Sequence, residues 1–120
     1  MITELLSLQN QIRIFHWQTD SYAQHMAFDR TYEALDDHID KFVEVFSGKY
    51  GRVETDGGFT IKLENIGSNE MVLEFVDKNI DYLTVDLPKM LNIQNDVDLL
   101  NIVADLIGAL NQLKYLLTLN

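Results

Sequence analysis

Apolar residues recur every three or four positions in four stretches of the chain, which is the spacing of one face of an α-helix. The stretches cover residues 2–19, 22–47, 68–88 and 96–117. The longest stripe lies in the second stretch and comprises Phe28, Tyr32, Leu35, Ile39, Phe42 and Phe46. Four helices of this length in a chain of 120 residues predict one all-α domain over residues 1–120, built as a four-helix bundle.

Local signals predict where the first two helices end. Ser21 and Gln24 have the spacing of a capping box, so the first helix should end near Thr19 and the second should begin directly after Ser21. Gly48 can adopt the left-handed conformation that closes many helices, which predicts that the second helix ends near Ser47.

The segment between the second and third helices, residues 52–67, is rich in glycine and has no helical period. Its residues 59–63 alternate between apolar and polar side chains like a short strand. The segment is therefore expected to be an irregular but ordered loop or a small hairpin that lies over the bundle. Ser68 is placed to cap the third helix, and Pro88 to end it.

The last helix is more apolar than a single core contact requires. Its apolar residues cover roughly half of the helix circumference, whereas one core stripe needs about a third. They are Leu99, Leu100, Ile102, Val103, Leu106, Ile107, Leu110, Leu113 and Leu117. This excess predicts packing on two sides, and hence a homodimer or a larger homo-oligomer.

Charge and composition narrow the classes of function. Nine basic and nineteen acidic residues give a net charge of −10, and the basic residues form no cluster, so direct binding of nucleic acid is not expected. No apolar segment reaches the ~20 residues of a spanning helix, and the N-terminus lacks a signal-peptide pattern, which predicts a cytoplasmic protein without membrane contact. The chain has no cysteine, so a bound metal would be held by imidazole and carboxylate.

Histidine and carboxylate side chains recur at helical spacing along the second helix, in a stripe beside its apolar stripe. His25 and Asp29 are four residues apart, as are Asp40 and Glu44, so each pair shares one helical face. His16 projects from the end of the first helix towards the same junction. A lone inward histidine is most often a core residue, but the joint pattern predicts a metal site, with iron favoured and other divalent metals left open.

The length of the second helix limits how these five residues can meet. His25 and Asp40 are fifteen residues apart, which at ~1.5 Å per residue separates them by about 22 Å. Two arrangements follow. Either the chain carries two unrelated half-sites, or two copies pair across a two-fold axis near Ala34 and Leu35, so that each half-site meets its complement on the other chain.

Residues 16–44 resemble the iron-binding segment of the Dps family, the miniature ferritins of the ferritin-like superfamily. The resemblance rests on His16 with Trp17, on the pair His25 and Asp29, and on a second carboxylate pair at the family's interval along one helix, Asp40 and Glu44. It implies a ferritin-like four-helix bundle and an inter-subunit ferroxidase site that oxidises ferrous iron with peroxide or dioxygen. It also implies that the five residues other than Trp17 are the metal ligands.

A second resemblance points to a different class of protein. Residues 16–25 and 42–52 are similar to a small uncharacterised family found in large DNA viruses and phages. This likeness implies a non-enzymatic viral or phage structural or interaction protein, located in the host cytoplasm, that keeps the ferritin-like fold without a known activity.

Overall fold

The structure, a computed structural model that describes residues 1–119, contains four α-helices and, within those residues, no strand. The helices are α1 (Ile2–Gln18), α2 (Tyr22–Tyr50), α3 (Asn69–Asp81) and α4 (Val97–Leu116). The predicted all-α class and the number of helices are therefore confirmed. None of the four helices is long and apolar enough to cross a membrane.

The turn between α1 and α2 forms as the sequence predicts. The Ser21 hydroxyl accepts the Gln24 backbone N–H at 3.2 Å and caps α2. The Gln24 side chain does not return to the Ser21 N–H, because Thr19 lies between them: Thr19 accepts that N–H and donates its hydroxyl to Gln24. The turn of three residues makes α1 and α2 antiparallel neighbours.

The predicted end of α2 near Ser47 is wrong by about one turn. Gly48 lies inside the helix, and α2 ends at Tyr50 before Gly51, whose φ of +94° is a value that favours glycine. The extra turn is held because Lys49 and Tyr50 both reach Asp96 at the start of α4. A local glycine signal cannot report a contact with a segment 46 residues away.

Residues 51–68 cross the bundle as an extended loop, which confirms the irregular alternative to a hairpin. The loop lies along α1, where two glutamine side chains take the place of a partner strand. Gln11 exchanges two hydrogen bonds with the backbone of Glu64, at 2.8 and 2.7 Å. Two turns further along α1, Gln18 accepts a hydrogen bond from the Ile66 N–H and donates one to the Asn65 side chain. These contacts fix the crossover without a sheet.

The crossover returns the chain to the end of the bundle where α2 begins. Val53 shares a groove with Ile2 at the start of α1, whereas Asn69 accepts a hydrogen bond from Gln24 at the start of α2. Helix α3 therefore runs parallel to α2, and α4 returns parallel to α1. The topology is two antiparallel pairs joined by one long crossover.

Helix α3 does not stop at Asp81 but continues as a π-turn (Tyr82–Asp86) and a 3-10 turn (Leu87–Met90). Ser68 caps it through the Met71 N–H, as predicted. Pro88 stands in the final turn, where its missing N–H and fixed φ prevent the helix from continuing.

The core contains the apolar stripes of all four helices. Phe15 of α1 packs against Phe28 and Phe75, with ring centroids 5.6 and 5.4 Å apart. On α4, six of the apolar positions are buried and Ile107 packs against the same core. The apolar surplus of α4 is thus largely used within one chain, and the prediction of an oligomer rests instead on the polar site.

Candidate metal centre

Two histidines from different helices lie stacked at the α1–α2 junction. The ring centroids of His16 and His25 are 3.9 Å apart, and the ring planes differ by only 17°. Each ring bonds the backbone of the other residue: His16 Nδ1 lies 2.8 Å from the His25 carbonyl oxygen, and His25 Nδ1 lies 2.8 Å from the His16 carbonyl oxygen. The short turn between α1 and α2 makes this exchange possible.

The two hydrogen bonds determine which ring nitrogens carry protons. A carbonyl oxygen only accepts, so Nδ1 is the donor in both His16 and His25. In a neutral imidazole with its proton on Nδ1, the lone pair lies on Nε2, the atom that remains free to bind a metal. The backbone therefore holds both rings in the tautomer that a metal ligand needs.

Asp29 is the third residue of this cluster. Its Oδ1 lies 3.9 Å from His16 Nε2 and 3.9 Å from a guanidinium nitrogen of Arg13. Two ligands bonded at ~2.1 Å to one tetrahedral ion are about 3.4 Å apart, so a side-chain rotation of about half an ångström would bring this pair into range. The sequence-predicted residues His16, His25 and Asp29 are thus neighbours at the α1–α2 junction, with His16 in contact with each of the other two.

Asp40 and Glu44 lie on the other half of the same unbroken helix and are exposed. The distance estimated from helix rise therefore applies, and these carboxylates do not meet the histidines within one chain. Among residues 1–119, no group of three or more His, Cys, Asp or Glu side chains is arranged to hold a metal ion.

Arg13 was not predicted to be part of the site. Its guanidinium lies flat over the Tyr32 ring, 3.7 Å from the centroid, and it also approaches Asp29. In the free chain Arg13 offsets the charge of Asp29, and a metal ion at Asp29 would meet this positive charge. The sequence around Arg13 does not predict this role, because the contact with Tyr32 depends on how α1 and α2 pack.

At a protein concentration that keeps both variants in the same oligomeric state, we expect Arg13→Gln to tighten metal binding about two- to tenfold, because the substitution removes a competing cation from Asp29. The measurement is a zinc titration against a chromophoric chelator, with circular dichroism to check that loss of the Tyr32 contact leaves the helices intact. Arg30→Gln, an exposed position on α2, is the control for net charge. Weaker zinc binding by the Arg13 variant than by the Arg30 variant would contradict this role.

A second polar cluster joins the end of α2 to the start of α4. The buried carboxylate of Asp96 accepts from the Tyr50 hydroxyl at 2.5 Å, the Asn92 N–H at 2.8 Å and the Lys49 ammonium at 3.0 Å. These donors lower the pKa of Asp96, with the Asn92 N–H as the main cause. Hydrogen bonding to Asp98, then to Asp96, raises the pKa of Lys49. Lys49 already neutralises the carboxylates of Asp96 and Asp98, so we interpret the cluster as a structural contact between α2 and α4 and not as a metal site.

Tyr82 carries a buried hydroxyl with no hydrogen-bond partner among residues 1–119. Burial, followed by the nearby charges of Glu4 and Asp86, raises the pKa of this phenol to about 12. The hydroxyl therefore stays neutral at physiological pH, and within residues 1–119 it makes no hydrogen bond to a base that could activate it.

Comparisons with known proteins identify the family of the chain. Residues 16–117 match the model of a family of unknown function, DUF5856. The chain is also 30% identical, over 96% of its own length and 83% of the relative's, to the uncharacterised 14.6 kDa protein in the mobD-ri intergenic region of Enterobacteria phage T4. No solved structure matches.

These matches confirm the likeness of the chain to uncharacterised phage proteins, and they give no support to membership of the Dps family. The phage relative is similar over nearly the whole chain, but its name assigns no activity. The matched segment begins at His16 and includes every predicted ligand. The chain belongs to the DUF5856 family of unknown function.

Proposed function

We propose that this protein binds a divalent metal ion, iron in the first instance, through His16, His25 and Asp29. The observation that carries the proposal is the reciprocal bonding of the two imidazoles, which leaves both Nε2 lone pairs free and holds that of His16 beside the Asp29 carboxylate. Imidazole and carboxylate together suit iron, manganese and zinc. The net charge of −10 favours the approach of cations to the site.

The proposed site is completed by Asp40 and Glu44 of a second copy. Three ligands from one chain leave coordination positions open, and the two carboxylates are the remaining members of the predicted set. A two-fold axis near the middle of α2 would bring each histidine half against the carboxylate half of the other chain. The single long crossover between two antiparallel helix pairs is also the connection typical of ferritin-like bundles, which supports this architecture.

In such a site ferrous iron is the substrate. Its oxidation by peroxide or dioxygen would yield ferric iron, and the chain's own contribution would be to hold the ion between neutral imidazoles and ionised carboxylates. Ligand sets of this kind leave positions at which an oxidant can bind. This ferroxidase activity is the finer part of the proposal and depends on both chains.

The second candidate is a non-enzymatic phage protein that acts by binding another macromolecule. The comparisons favour this candidate, because they relate the chain to a family of unknown function and to an uncharacterised phage protein. On this alternative the histidine pair is a structural lock of the α1–α2 turn. The lock requires only the two Nδ1 hydrogen bonds and makes no use of Nε2.

An anaerobic ferrous titration followed by addition of peroxide separates the two candidates. We expect saturable binding, and His25→Ala should weaken it by at least about a hundredfold, because a ligand is removed. His38→Ala, on the same helix but outside the cluster, is the matched control and should bind normally. Binding without oxidation supports the non-enzymatic candidate, and equal binding by both variants overturns the metal site.

A further inference from the structure

Trp17 is the single tryptophan of the chain, and 67% of its surface is exposed. It directly follows His16 at the end of α1. Its nearest charged contact is the Arg13 guanidinium, 5.8 Å from the ring. Burial of an indole removes a large apolar area from water and is therefore favourable. Tryptophan is also enriched among the residues that contribute most to the free energy of binding at protein interfaces.

An apolar groove lies at the opposite end of the same face, between α1, α2 and the crossover. Its volume is about 440 Å³, and apolar side chains form most of its wall: Leu6, Ile39, Val43, Val53 and Phe59. Phe59, which comes from the crossover, is 46% exposed. Asp40, one of the proposed ligands, stands on the rim of the groove.

The position of Asp40 links the groove to Trp17. The two-fold operation that places His16 of one chain against Asp40 of the other also moves Trp17, one residue further, to the groove beside Asp40. We propose that the indole of Trp17 fills this groove on a second copy of the chain, and that the second copy's indole fills the first groove in return. This inference rests on the proposed function, because the shared metal site sets the pairing.

Charge complementarity supports the same occupant. Asp36 and Asp40 make the rim of the groove acidic. Arg13 lies against Trp17, so the indole carries a guanidinium towards that rim. Antiparallel pairing of two α2 helices would otherwise bring Glu33 and Asp36 close to their copies, and the added cation reduces this repulsion. A second copy thus offers both the apolar plug and the positive charge that the groove lacks.

The test uses the full chain, with its single tryptophan as the reporter and zinc as a redox-inactive metal. Emission and iodide quenching are recorded over a protein concentration series with and without zinc, beside sedimentation equilibrium. We expect the emission to shift to shorter wavelength and quenching to fall as the dimer forms. Trp17→Ala and Phe59→Ala should each weaken dimerisation, the first about 30-fold. Tyr115→Ala, an exposed aromatic residue on α4, is the control.

The outcomes separate this inference from the metal site itself. A dimer in which Trp17 remains as accessible to iodide as in the monomer overturns the inference and leaves the metal proposal intact. Zinc binding by a protein that stays monomeric overturns both the plug and the shared site. Unchanged dimerisation in both Trp17→Ala and Phe59→Ala also overturns the inference, and circular dichroism of the variants confirms that they are folded.

Discussion

Mixing chains that carry His25→Ala with chains that carry Glu44→Ala should restore metal binding to about a quarter of the proposed sites, although each variant alone should bind metal weakly. This result is expected if every site takes its histidines from one chain and its second carboxylate pair from the other. Half of the dimers formed at random from an equal mixture contain one chain of each kind. In such a dimer one of the two sites has all of its ligands.

The physical reason is the rigidity of α2. This unbroken helix carries His25 near its start and Glu44 near its end. No rotation of side chains brings residues about 28 Å apart onto one ion, at ~1.5 Å of rise per residue. Complementation therefore requires a second chain. The measurement is zinc bound per chain after the two variants are unfolded together, refolded and separated from free metal.

A double variant, with His25→Ala and Glu44→Ala on the same chain, is the control for the mixture. Mixed with the unsubstituted chain, it forms hetero-dimers in which both sites lack one ligand. If the mixed single variants recover no more zinc than either variant alone, the site is not shared between chains. Full binding by Glu44→Ala alone would show that the histidine half is sufficient.

Asp96→Asn lowers the thermal midpoint of unfolding by an expected amount on the order of 5–10 °C. The buried carboxylate accepts from Tyr50, Asn92 and Lys49, and it ties the last turn of α2 to the first turn of α4. An asparagine of the same shape offers one oxygen in place of two. At least one donor is then left without an acceptor, and the Lys49 ammonium loses a negative partner.

The same substitution should reduce the sensitivity of the fold to acid. The pKa of Asp96 is lower in the folded chain than in the unfolded chain, so its carboxylate stabilises the fold above the unfolded-state pKa. This contribution is lost as the pH falls through the lower, folded-state pKa. The unsubstituted protein should therefore lose more of its urea midpoint between about pH 6 and about pH 3 than Asp96→Asn does.

Asp98→Asn is the matched control for both measurements. Asp98 also bonds Lys49, at 2.8 Å, but 54% of its side chain is exposed and water can replace the contact. Its substitution should change the midpoint by much less than that of Asp96. Equal losses in the two variants would mean that the general charge near Lys49, and not the buried acceptor, stabilises the junction.

The surroundings of Asp40 show what a local sequence pattern cannot predict. The spacing of Asp40 and Glu44 predicts a shared helical face, which α2 confirms. Nothing in that spacing predicts that Phe59 of the crossover would form a groove beside Asp40, because Phe59 comes there through the path of residues 51–68 along α1. That path depends on Gln11, a polar residue that appears in the sequence as part of no pattern.

The sequence by itself determined the number of helices, the Ser21 and Ser68 caps, the apolar stripes and the distance along α2 between His25 and Asp40, because each depends on residues within a few turns of one another. Only the tertiary structure decided the end of α2, the tautomers of His16 and His25, and the course of the crossover. These depend on contacts between elements distant in sequence or, for the histidines, on how two helices fold back on each other. The ten residues from His16 to His25 thus supply the two histidines, and the packing of α1 against α2 stacks their rings.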